Sequence, residues 1–158
     1  MKKVLFILIA SIFLVSCAQK TQNAKSKFIK DYIITIDIDS AIEKIKQNLA
    51  PKNYKIVSIF DHEKEALKLK EMLYPTKSIN LYNPKISTTL IQCNPTISLE
   101  MPIRISLYNE LNGKTHIAFT DPEYWSLKHN IKDAKCLNLI MLLKRDLNEL
   151  TDALGVKE

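Results

Sequence analysis

Three rhythms of apolar residues run along this chain. Val4 to Val15 is a block, apolar apart from Ser11 and preceded by Lys2 and Lys3. After a polar stretch the pattern becomes alternating: Ile34, Ile36 and Ile38 against Thr35 and Asp37, the period of a half-buried strand over Tyr32 to Asp39. Ser40-Ala41-Ile42-Glu43 then has the form of a capping box, and Ile42, Ile45 and Leu49 line one side of a helix that runs to Pro51. Asn53 to Phe60 is β-branched and aromatic, a second strand. Asp61 can cap a helix from His62 to about Leu73, with Ala66, Leu69 and Leu73 as its apolar side, and Pro75-Thr76 turns the chain into a strand from Lys77 to Tyr82. Asn83-Pro84 starts another helix, because proline at the first helical position loses only an N–H that has no partner there.

Asn94-Pro95 repeats that start signal and predicts a brief turn or helix to Glu100, which Met101-Pro102 ends, since a residue before proline is pushed out of the helical region. Two short strands follow. Ile103, Ile105 and Leu107 share one face of the first, and Ile117 and Phe119 one face of the second. A two-residue turn at Asn112-Gly113 would pair Leu107 with Ala118 and put the two apolar sets on opposite faces. A three-residue loop, Leu111 to Gly113 with Gly113 left-handed, pairs Leu107 with Ile117 and Ile105 with Phe119. A slip of one residue flips every side chain, so the odd loop is the reading that gives the hairpin one apolar face. The second face then carries Arg104, Ser106, Tyr108, His116 and Ala118. Asp121-Pro122 opens a turn of helix holding Tyr124, Trp125 and Leu127. The last helix runs from about Asp133 to Leu154, stopped by Gly155, with Cys136, Ile140, Leu143, Leu147, Leu150 and Leu154 at alternating four and three spacing. That seam covers less than three heptads, so it predicts a helix laid on its own sheet rather than a coiled coil. The element order is β-α-β-α-β-α-β-β-α-α.

The leading block is about the length of a signal-peptide core and too short to span a bilayer. It ends in Leu14-Val15-Ser16-Cys17, which resembles the bacterial lipobox, so residues 1–16 are expected to be removed and Cys17 lipidated. Two or three acyl chains on one residue anchor a protein stably. The expected address is the cell envelope, facing the periplasm. Ala18 is not the aspartate that retains some lipoproteins at the inner membrane, which favours the outer one. Residues 17–30 read as a polar tether, and 31–158 as the folded domain. The formal charge of +6 falls to +4 without Lys2 and Lys3. The remaining lysines are interspersed with acids, so nucleic acid is not an expected partner. An exported compartment permits a Cys93–Cys136 disulfide, but both cysteines sit among apolar neighbours where a free thiol would also be at home.

Asp61-His62 at a strand-to-helix junction, Tyr82-Asn83-Pro84-Lys85, Pro95 to Pro102 ahead of Ile103-Arg104-Ile105, and Thr120-Asp121-Pro122-Glu123-Tyr124 with Lys128-His129 behind it resemble one bacterial and archaeal family, the domain of unknown function 302. The resemblance covers roughly Ile34 to Leu150. It implies a compact α+β domain, a mainly antiparallel sheet with helices packed on it, often dimeric, and it brings no established reaction or ligand. This chain departs from the pattern at Met101 and Lys128 and in having few glycines.

The candidate ligand-binding residues are His62, His116, His129, Asp121, Tyr108 and Arg104. Imidazole titrates near neutrality and binds metals or haem iron, which makes a gathering of histidines chemically useful. None of the spacings is that of a zinc site, so no metal ligand is assigned and the cofactor stays unknown. His62 and His129 have capping or packing explanations, and Asp121 an N-cap explanation. With only two glycines in the chain there is no phosphate-cradling loop, and there is no Gly-x-Ser-x-Gly nucleophile elbow. No catalytic residue is selected. Three functions remain open: a non-enzymatic envelope module that binds a ligand or partner, a hydrolase or redox enzyme built on the histidines, and a structural lipoprotein acting as a dimer.

Overall fold

The computed structural model describes residues 26–157, so the expected signal segment, Cys17 and most of the tether lie outside the described residues. The elements are β1 (Ile29–Ile34), α1 (Ile38–Leu49), β2 (Lys55–Asp61), α2 (His62–Lys68), β3 (Thr76–Tyr82), α3 (Pro84–Cys93), a 3-10 turn (Pro95–Glu100), β4 (Ile103–Asn109), β5 (Thr115–Thr120), α4 (Glu123–Lys128), α5 (Ala134–Ala153) and β6 (Val156–Lys157). The six strands form one sheet in the order β2-β3-β4-β5-β1-β6, with every neighbouring pair antiparallel. This is an α+β fold with the element order expected from the sequence, plus a two-residue strand at the C-terminus.

Register decides which residues the sheet buries. Leu107 pairs with Ile117 and Ile105 with Phe119, and the loop between the strands closes with Gly113 at φ 76° and its N–H donating to Glu110 O. Ile79, Leu81, Ile103, Ile105, Leu107, Ile117 and Phe119 therefore face one way and merge with α1, α3 and α5 into one core. The heptad-like seam of α5 is buried from Cys136 to Leu154, as a helix laid on its own sheet should be. Residues of the other parity, among them Ser78, Arg104, Ser106, Tyr108 and Ala118, stand on a face that none of these three helices covers. The result is a two-layer domain with one open sheet face.

The expected bounds of the first strand, the first helix and the second helix are corrected. The first strand begins at Ile29, inside the stretch expected as tether, and ends at Ile34 rather than Asp39. The reason is Asp37: its side chain accepts from Asp39 N and Ser40 N, so it caps α1 three residues before the expected capping box. Ile34 and Ile38 are both buried, but one ends a strand and the other starts a helix, so their even spacing is not a strand period. The helix after Asp61 stops at Lys68, because Leu69 caps it and Lys70 turns left-handed at φ 60°. Its expected apolar side therefore does not enter the core, and Leu69 is 76% exposed. Lastly, β2 is an edge strand with Val57 bulged out of the ladder between Ile56 and Ser58.

Candidate functional site

The six candidate residues do not converge on one point. Tyr108 and His116 pair across β4 and β5 at one end of the open face. There Tyr108 Oη donates to Asp31 Oδ2 at 2.9 Å, His116 Nδ1 lies 3.0 Å from Asp31 Oδ1, and the two rings stack at 4.8 Å. His116 is 6% exposed; its Nε2 has no hydrogen-bond partner, although Glu110 Oε1 is 3.4 Å away. Burial, reinforced by the Asp31 carboxylate, pushes the Tyr108 phenol well above its ordinary value. Tyr108 thus stays protonated and keeps its hydroxyl as a hydrogen-bond donor to Asp31.

Arg104 lies four residues back along β4, roughly 13 Å from Tyr108 at strand rise. It lines a different feature, a cleft of about 320 Å³ where β4 begins and β5 ends, with Ile29, Leu99, Glu100, Pro102 and Trp125 among its walls. Arg104 makes no ion pair among the described residues, and its side chain is exposed. Trp125 is 2% exposed and its indole Nε1 has no hydrogen-bond partner among the described residues. A buried N–H left without an acceptor costs about 1–3 kcal/mol, which an acceptor supplied from outside would recover.

His129 stands behind the cleft wall. Its Nε2 is 2.9 Å from Glu100 Oε1 and its Nδ1 2.8 Å from Thr96 Oγ1. That geometry looks like a hydroxyl-imidazole-carboxylate relay, but the third partner decides otherwise. Thr96 Oγ1 donates to Asn94 Oδ1, which can only accept, so the Thr96 proton is directed away from His129. Thr96 is therefore not an activated nucleophile, and Asn94 Nδ2 closes the loop by donating to His129 O. The group ties the 3-10 turn to the end of α4.

Burial alone would raise the Glu100 carboxyl; hydrogen bonds from Lys128 and His129 outweigh that and hold it below the usual carboxylate range. A carboxylate lowered on folding stabilises the protein above its unfolded value near 4.5 and loses that contribution as pH falls through the folded one. The wild-type chain is expected to lose stability on acidification below about pH 4.5 more steeply than Glu100→Gln. Urea unfolding midpoints between roughly pH 3 and 7 check this, and parallel curves for the two chains would show that Glu100 does not titrate in the folding transition.

The last two candidates stand apart. His62 Nε2 is 2.8 Å from Ser78 Oγ, on the β3 side of the open face, with the Phe60 ring edge-on at 4.8 Å. Asp121 accepts from Glu123 N at 3.0 Å and pairs with Lys30 at 3.2 Å and Lys144 of α5 at 3.9 Å, which makes it a buried structural carboxylate on the helical side. Cys93 and Cys136 are joined by a disulfide with Cα atoms 6.4 Å apart. With Asp133 they also form a group of three potential metal ligands whose donor atoms lie within 4.8 Å of one another.

A family model described as "Domain of unknown function DUF302" matches residues 32–153. The chain belongs to the DUF302 family. The crystal structure of an uncharacterised conserved DUF302 protein from Bacillus stearothermophilus is similar over 82% of this chain and 99% of that one, with a TM-score of 0.73 at 16% identity, a likeness of fold. Among curated proteins, the chain is similar to the fluoride-specific ion channel FluC 1 of Brucella suis, 24% identical over 110 residues that cover 67% of this chain and 43% of the relative. FluC 2 of Brucella melitensis matches to the same degree over 41% of its length. The chain thus spans less than half the length of the curated relatives it matches.

In this DUF302 chain Asp31 and Glu110 complete the His116 grouping, Thr96 and Glu100 the His129 grouping, and Trp125 the cleft beside Arg104; none of the five is a ligand-binding candidate on sequence alone. Asp31 meets His116 from 85 positions away, and Glu100 meets His129 from 29. Only the correct start of β1 would have placed Asp31 beside His116. Trp125 did carry a signal: it is the chain's single tryptophan, in a short helix beside a proline.

Proposed function

We propose that this DUF302 chain is a non-enzymatic binding module of the cell envelope, lipid-anchored at Cys17, that takes a small organic acid into the cleft beside Arg104 and Trp125. The observation that carries the reading is that one cleft is lined both by Arg104, a guanidinium lacking an ion pair among the described residues, and by Trp125, whose buried indole N–H lacks an acceptor among them. A carboxylate answers both, and the apolar walls supplied by Ile29, Leu99 and Pro102 suit a short aliphatic or aromatic body. The volume sits at the lower end of small-molecule sites. An enzymatic reading has less support: Thr96 is turned away from His129, and the Tyr108 phenol is pushed up.

The curated relatives are named as fluoride-specific channels, which supports a place at a membrane for domains of this type. Among the described residues no helix is long and apolar enough to cross one.

Because Trp125 is the only tryptophan, its fluorescence reports on the cleft wall directly. Titrating the full chain with short-chain fatty acids and aryl carboxylates is expected to give saturable quenching or a spectral shift. Arg104→Gln is expected to weaken carboxylate binding about tenfold, roughly the loss of one charge-assisted hydrogen bond, while leaving neutral amides of the same acids unaffected. A flat titration across the panel at millimolar acid would sink the proposal.

A further inference from the structure

We propose that the Cys93–Cys136 pair, once reduced, forms with Asp133 a site for a thiophilic divalent cation such as Zn²⁺, so that the seam between α3 and α5 exchanges a covalent bond for a metal bridge. Three observations converge there. Cys93 is the last residue of α3 and Cys136 the third of α5, so the ligands come from two rigid helices rather than from a loop. Asp133 is the N-cap of α5; its Oδ1 accepts the amide of Cys136 at 3.0 Å, which fixes the carboxylate beside the sulfur. One donor atom from each of the three residues lies within 4.8 Å of the others.

Zinc bonds of about 2.3 Å to sulfur and 2.0–2.2 Å to oxygen put neighbouring donors of a tetrahedron roughly 3.5–3.8 Å apart; the Asp133 oxygen is already within 4.8 Å of both sulfurs, and the sulfurs, bonded to each other here, reach that spacing only once the disulfide is opened. The Cα separation of 6.4 Å is near the wide end of the disulfide range, so side-chain rotation can part the sulfurs without moving either helix. Two thiolates and a carboxylate offer the soft, anionic set that zinc and cadmium prefer, and the exposed side of Asp133 leaves a fourth position for water.

The exchange balances. A dithiol reductant gives up two electrons and two protons and becomes its own disulfide, while the Sγ–Sγ bond breaks and Cys93 and Cys136 become thiols. Metal binding then displaces those two protons to solvent and forms two metal–sulfur bonds. Spacing rules could not find this site, because its two cysteines are 43 positions apart and the third ligand is a carboxylate.

The test uses the full chain, oxidised and phosphine-reduced, titrated with Cd²⁺ and Zn²⁺. Reduced protein is expected to bind one equivalent of Cd²⁺ with thiolate-to-metal absorbance in the ultraviolet, and Zn²⁺ is expected to displace it. Oxidised protein and Cys136→Ser are expected to show no such band, and Asp133→Asn to weaken binding at least tenfold. If reduction unfolds the chain, Zn²⁺ must restore the native circular-dichroism spectrum. No uptake by the reduced protein, no restoration of an unfolded one, or the same uptake by the oxidised protein overturns the proposal. Carboxylate binding at the Arg104 cleft is read by fluorescence, so either proposal can fail alone.

Discussion

A chain carrying both Cys93→Ala and Cys136→Ala is expected to be about 4 kcal/mol less stable than the disulfide-bonded protein. The figure follows from the loop: a crosslink spanning 43 positions removes conformational freedom from the unfolded chain, and the entropy of closing such a loop at room temperature is of that size. It is an upper figure, because an unfolded chain that keeps residual structure has less freedom for the crosslink to remove. Against the 5–15 kcal/mol that usually separates folded from unfolded domains, a loss of this order is severe. Urea unfolding of oxidised wild type and double variant measures it. A shift worth less than about 1 kcal/mol would show that the unfolded chain keeps the two segments together anyway.

The second large effect is expected at Asp146. This carboxylate, on the buried side of α5, accepts from Tyr54 Oη at 2.9 Å through Oδ2 and pairs with Lys52 Nζ at 2.9 Å through Oδ1. Burial first, then the Asp146 charge, push the Tyr54 phenol upward, so it stays protonated and donates. In Asp146→Ala the Tyr54 hydroxyl is left buried without an acceptor, worth about 1–3 kcal/mol, and packing around the lost carboxylate adds to that. Lys52 keeps Glu149 as a partner and is partly exposed, so the cost should stay below the 3–5 kcal/mol of a fully stranded buried charge. A loss of about 2–3 kcal/mol is expected, falling to about 1 kcal/mol in Asp146→Asn, whose amide oxygen still accepts from Tyr54. Equal losses in the two variants would show that the ion pair with Lys52, not the hydroxyl bond, carries the effect.

Much of the framework was legible from side-chain spacing, and the reasons are specific. The β4–β5 register was readable because only the odd loop lets Leu107 meet Ile117 on the face that Ile105 shares with Phe119. The caps Asp61, Asn83 and Asn94 were readable because a side-chain oxygen just before proline or at a strand-to-helix junction has one local use. The start of β1 was hidden, since Ile29 is exposed and Lys30-Asp31 reads as more tether. The end of α2 was hidden as well: Leu69 and Leu73 keep the helical spacing, but an edge position leaves them nothing to pack on. Asp146 was hidden because the spacing of the α5 seam is carried by apolar residues, and a carboxylate beside it reads as solvated. The polar groupings were illegible in a stronger sense. Glu100 and His129, or Asp31 and His116, become neighbours only through the sheet order β4-β5-β1 and the return of the 3-10 turn, neither of which a local pattern encodes.

The bulge at Val57 has a consequence for chains crowded together. Strand β2 is an outer strand of the sheet, with Val57, Ile59 and Phe60 exposed, a surface on which a neighbour's backbone could begin to pair. A strand arriving there would lose register after Ile56, because the extra residue turns the following donors and acceptors out of step, and Lys55 guards the approach. Growth of the sheet from one molecule into the next is therefore blocked where its apolar surface most invites it.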